Sequence, residues 1–106
     1  MEKLDIRKGY YRNVEGDNLF ELMKEVFGNC EHDGEWYRSE YGAMKPIKIK
    51  VLSKSELAME INTVDIPEDQ VLDTMRKRNF FLEKATGFTS KERLKRLKDK
   101  AKKGDL

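Results

Sequence analysis

From Lys45 to Thr63 apolar and polar residues alternate in two consecutive runs, and this period of two restricts the fold more than any other feature of the chain. In Lys45–Leu52 the residues Ile47, Ile49 and Val51 oppose Lys48 and Lys50. In Glu56–Thr63 the residues Leu57, Met59 and Ile61 oppose Ala58, Glu60 and Asn62. Such runs predict antiparallel strands with one face covered and one wet. Upstream, Asp33-Gly34 is a hairpin signal, because both central residues of a type I′ turn need positive φ, and it predicts strands over about 29–32 and 35–41. Turn signals at Gly42 to Pro46 and Ser53 to Ser55 bound the next two strands.

Around this meander the period changes. Lys3 to Tyr11 reads as a first strand, with an irregularity at Gly9 and an aromatic pair, Tyr10-Tyr11, that favours extended backbone. Leu19, Leu22, Met23 and Val26 recur at helical spacing, which predicts a helix over Asn18 to Phe27 with Asp17 as N-cap and Gly28 as its stop. A second helix is predicted over about 67–86, opened by Pro67, Glu68 and Asp69 and closed by Gly87. Its buried side is assigned to Val71, Leu72, Met75, Phe80, Leu82 and Phe81. Thr89 and Glu92 have capping-box spacing with Phe88 at the staple position, so a third helix should run from Ser90 to about Lys103. Its apolar stripe, Leu94, Leu97 and Ala101, is one residue wide and predicts weak docking and a fraying end. The expected fold class is α+β: a two-layer α/β sandwich of order βαββββα plus a basic C-terminal helix, with an antiparallel sheet carrying both main helices on one face. Residues 1–88 form the single sandwich domain in this reading and 89–106 the basic helix or tail.

The 106 residues suit one domain, and 38% hydrophobic against 40% charged leaves a lean apolar supply. No run approaches the roughly 20 apolar residues of a membrane span and no signal-peptide segment opens the chain, which reads as cytoplasmic. A lone Cys30 and a lone His32 exclude a disulfide scaffold and a multi-histidine metal site. Phosphate-binding glycine motifs and nucleophile elbows are absent, and the paired carboxylates Glu31/Asp33 and Glu68/Asp69 fall at water-exposed turns. The chain is therefore expected to be non-enzymatic and to carry no cofactor.

Charge is divided along the chain. Residues 1–90 hold 14 basic and 17 acidic residues, whereas 91–106 hold 8 and 3, so a mildly acidic body carries a basic tail. That division suggests an anionic partner or attraction between tail and body. On a helix Lys91, Lys95, Lys98 and Lys102 form one stripe, able to follow phosphates without reading sequence. Alternation places Trp36 and Arg38 on the open sheet face beside Lys48 and Lys50, a ring among cations of the kind that stacks bases. The expected function is weak, non-specific nucleic-acid binding through these eight residues. The alternative is a protein partner or homodimer on the open sheet face, since aromatics and arginine favour interface cores. Arg76, Lys77 and Arg78 read as solvated, with Asp73 partnering Lys77.

The element order resembles a single repeat of the TATA-box-binding-protein fold. The chain also resembles a family of small uncharacterised archaeal proteins, through Lys8-Gly9-Tyr10, the helix end Phe27-Gly28 and the helix start Ile66-Pro67. These motifs are structural punctuation over about residues 3–88, so the resemblance implies a fold and no activity. A DNA-bending saddle uses two repeats and apolar wedges, whereas this chain has one repeat and places Glu60 and Asn62 beside Lys48 and Lys50.

Overall fold

The two alternating runs pair with each other as β4 (Met44–Ser53) and β5 (Glu56–Thr63), with Ile47 opposite Ile61, Ile49 opposite Met59 and Val51 opposite Leu57. Opposed residues share a face, so this register gathers the aliphatic set on one side and leaves Lys48, Lys50, Ala58 and Glu60 on the other. The computed structural model describes the backbone of residues 2–102 and the side chains of residues 2–99. Within it, β3 (Trp36–Tyr41) pairs with β4, β2 (Glu31–Asp33) with β3, and β1 (Glu2–Asp5) with the far edge of β5. The sheet is antiparallel throughout, in the order β1-β5-β4-β3-β2.

Helices α1 (Asn18–Phe27) and α2 (Glu68–Thr86) cover the aliphatic face. Leu19, Met23 and Phe81 are fully buried with Ile47, Ile49 and Leu57, and the ring of Phe81 lies 5.3 Å from that of Phe27. The thinnest dimension is 21 Å, as one sheet layer and one helix layer require. Helix α3 (Ser90–Lys102) follows α2 after Gly87, whose φ of +79° closes α2 through its N–H to the Glu83 carbonyl. The α+β sandwich and the bounds of α1 and β5 agree with the sequence reading.

Several local expectations do not hold. The first strand ends at Asp5 instead of Tyr11, opposite Glu56 where its partner β5 begins; beyond it the Arg7 N–H donates to the Thr86 carbonyl, Gly9 at φ +93° turns the chain and Tyr11–Asn13 forms a 3-10 turn. Tyr10 leaves the sheet to lie on Gly87, where an added Cβ would come within 2.6 Å of its ring. The hairpin turn is Gly34-Glu35, one residue later than expected. Gly34 alone has positive φ, at +62°, which fits a type II′ turn, with glycine first, rather than type I′. Asp17 occupies the N-cap of α1 without a side-chain hydrogen bond. Pro46 lies inside β4, after a cis Lys45–Pro46 peptide, where the pairing with β5 shifts between Met44 and Ile47.

The phase of α2 departs furthest from the sequence expectation. Its buried residues are Thr74, Phe81, Leu82, Ala85 and Thr86, whereas Val71, Leu72, Met75 and Phe80 are exposed. In the first two turns of α2 only Thr74 is buried, so the apolar spacing of Val71, Leu72 and Met75 lies off the face that packs. Thr74 sets the phase instead. Its hydroxyl donates to the Gln70 carbonyl and accepts from the Ala43 N–H, bolting α2 to the β3–β4 turn.

Candidate nucleic-acid interface

The register assembles the four open-face candidates as expected. Arg38 lies opposite Lys48, and Lys50 Nζ stands 5.7 Å from the Trp36 ring centroid. It also brings carboxylates into contact with two of the three cations, Arg38 and Lys50. Lys48 lies in register with Glu60 on β5 but forms no ion pair with it, and Arg38 donates to Glu40 at 3.0 Å with Glu31 at 3.8 Å. Lys50 donates to Glu35 at 2.6 Å, a hydrogen bond that, with the ammonium charge, holds the Glu35 carboxyl below its ordinary range. Trp36, Arg38, Lys48 and Lys50 are all half-buried, and Ala58, opposite Lys50 on β5, is fully covered. The quartet is real as an arrangement but charge-balanced, and carboxylates on a phosphate-facing surface repel it.

Helix α3 is built differently. The capping box forms as the spacing requires: Thr89 Oγ1 accepts from the Glu92 N–H at 3.2 Å and Glu92 Oε1 accepts from the Thr89 N–H at 3.0 Å. The second of these, with the nearby Arg7, holds the Glu92 carboxyl below its usual range. The thin leucine stripe does not dock the helix, since Leu94 and Leu97 remain 53% and 50% exposed. Arginines do. Arg93 donates to the Phe88 carbonyl at 2.6 Å and to Asn79 Oδ1 at 3.0 Å, and Arg96 donates twice to Asp5 Oδ2, at 3.0 and 2.8 Å, with its guanidinium 4.5 Å from the Phe88 ring centroid. The tail-to-body attraction read from the charge division is thus visible at Arg96–Asp5.

With the arginines turned inward, Lys91, Lys95 and Lys98 are exposed and have no ion pair among the described residues. Lys102 belongs to the same helix, and its side chain, like the expected fraying beyond it, lies outside the described residues. The two candidate sets do not merge. β3 and β1 are three strand spacings apart, roughly 14 Å, and α3 is fastened at β1.

The sequence reading missed the arginines. Arg93 and Arg96, three apart and off the lysine stripe, carried the signal, since their spacing gives them their own helical face. Nor is Lys77 paired with Asp73: it stands 5.9 Å from the Tyr41 ring centroid, while Asp73 accepts from the Tyr41 hydroxyl. Arg78, read as solvated, is half-buried. His32 stacks on Tyr37 with centroids 4.5 Å apart, and burial pushes the Cys30 thiol up. Among the described residues no three His, Cys, Asp or Glu are grouped to hold a metal, and no helix is long and apolar enough to cross a membrane.

A family model described as a domain of unknown function, DUF5611, matches residues 1–99, a span that takes in most of α3. No curated protein and no solved structure matches the chain.

Proposed function

We propose, from the premise that this chain belongs to the DUF5611 family and draws no activity from that membership, that it is a non-enzymatic module binding nucleic acid weakly and without sequence preference. The observation that carries this reading is the sorting of cations on α3: arginines fasten the helix to the body while Lys91, Lys95 and Lys98 are exposed with no ion pair among the described residues. A polyanion displaces only counterions from such a stripe, whereas on the open sheet it would have to displace carboxylates.

Labelled duplex and single-stranded oligonucleotides titrated over a salt series test the proposal. Three phosphate contacts give a log–log slope near −2.7, so raising salt from about 50 to about 200 mM should weaken duplex binding about fortyfold. Undetectable binding even at about 20 mM salt, where phosphate neutralisation dominates affinity, would overturn it.

Homodimerisation through the open sheet has less support. The exposed apolar side chains cluster on α2 and α3 more than around Trp36, which Lys50 overlies. Light scattering should give the same monomer mass for the protein and for Trp36→Glu; a dimer dissociated by the substitution would restore the dimer reading.

A further inference from the structure

A cleft of about 280 Å³ opens between β1, α2 and α3, on the inner side of α3 and away from the lysine stripe. Part of its wall is apolar, with the buried Leu4 and Leu82 and the half-exposed Leu94 and Leu97. Three guanidiniums also line it, those of Arg78, Arg93 and Arg96, against the carboxylates of Glu2 and Asp5. Two are accounted for. Arg96 is spent on Asp5, and Arg93 is tethered to Asn79 and the Phe88 carbonyl, neither of which neutralises it.

Arg78 is not. Four residues after Thr74 and three before Phe81, it stands on the core-facing stripe of α2, where a long cation is out of place unless it has a partner. Its Nε is shut off from solvent and has no hydrogen-bond partner, and the guanidinium makes no ion pair among the described residues. Burial, and next the charge of Arg78, hold the Arg93 guanidinium below its ordinary value, outweighing the smaller opposing pull of Glu83 and of Glu2, which also lines the cleft. Two cations therefore press on each other in a partly dry cleft, an arrangement that an incoming anion relieves.

We infer that this cleft binds a small amphiphilic oxyanion, a carboxylate or phosphate head on a short apolar chain, with the head on Arg78 and Arg93 and the chain along Leu82, Leu94 and Leu97. Planar guanidiniums suit the head, because they present paired N–H donors to two oxygens at once. The half-exposed leucines suit the chain, since they supply an apolar wall that packing within the protein leaves unused. The volume sets the size, falling just under the usual range of small-molecule sites of about 300 to 1,000 Å³. This site is independent of the lysine stripe.

Amide NMR titrations with sodium octanoate, monooctyl phosphate and neutral 1-octanol test it. Saturable shifts at Asn79, Ser90 and Leu97 are expected with at least one of the two anions, and the stronger of the two identifies the head group. Octanol should give none. Arg78→Gln should weaken anion binding at least tenfold while keeping a dispersed spectrum. Should that variant fail to fold, Leu97→Glu, a change at the exposed mouth, should weaken it by a similar factor. The inference is overturned if neither anion saturates, if octanol binds as well as the anions, or if the folded variant binds like the unaltered protein.

Discussion

Replacing Gly42 by alanine should destabilise the protein by about 3 kcal/mol, in a domain of this size a fall in Tm of roughly 12 to 24 °C. Two effects combine. Gly42 sits at φ +53°, a left-handed conformation that costs an L residue about 1 kcal/mol. Its new Cβ would also overlap Thr74 Oγ1, the atom that accepts from the buried Ala43 N–H. Moving that hydroxyl leaves a buried donor unsatisfied, which costs about 1 to 3 kcal/mol. A double-mutant cycle separates the two: in a Thr74→Ala background the Gly42→Ala penalty should shrink to the backbone cost plus the small crowding by the residue-74 Cβ, 3.1 Å away. An undiminished penalty in that background would show that the Thr74 bolt is not the cause.

The second large effect is expected at Phe81. It is fully buried against Phe27, Leu19 and the sheet, so Phe81→Ala should cost about 4 kcal/mol through lost burial and the cavity left behind. Its neighbour gives the contrast. Phe80 is 50% exposed with Lys84 over its ring, and Phe80→Ala should stay within about 0.5 kcal/mol. Chemical denaturation of the two variants reads the phase of α2 directly. Equal losses, or a larger one at Phe80, would mean that the helix presents a different face to the sheet.

That phase also marks where sequence alone stops being informative. The alternation in β4 and β5 was legible because each side chain reports its own face, and the bounds of α1 were legible from Gly28, whose φ of +84° is the stop that its position suggested. Val71, Leu72 and Met75 misled because apolar spacing records where a helix is able to pack, not where a surface exists to receive it. Tyr10 misled for a related reason. Its strand preference yields to a ring contact with Gly87, distant in sequence.

The candidate interface divides along the same line. The stripe of Lys91, Lys95 and Lys98 follows from helical spacing within one element. The neutralising partners of Arg38 and Lys50 follow from cross-strand register and from the Gly34-Glu35 turn, which shifted by one residue and brought Glu35 to Lys50. Arg78 was hidden because its environment depends on the phase of α2 and on the later docking of α3. Charge counted along a chain is therefore a poor guide to charge presented on a surface.

The proposed function requires that the cations available to a nucleic acid be those of α3 and not those of the sheet. It is tested by one side-by-side measurement at low salt, in which oligonucleotide affinity is compared between Lys91→Gln/Lys95→Gln/Lys98→Gln and Arg38→Gln/Lys48→Gln/Lys50→Gln. Loss of most binding in the first variant, with near-unchanged affinity in the second, is the predicted result. Retained binding in the first and loss in the second would contradict it.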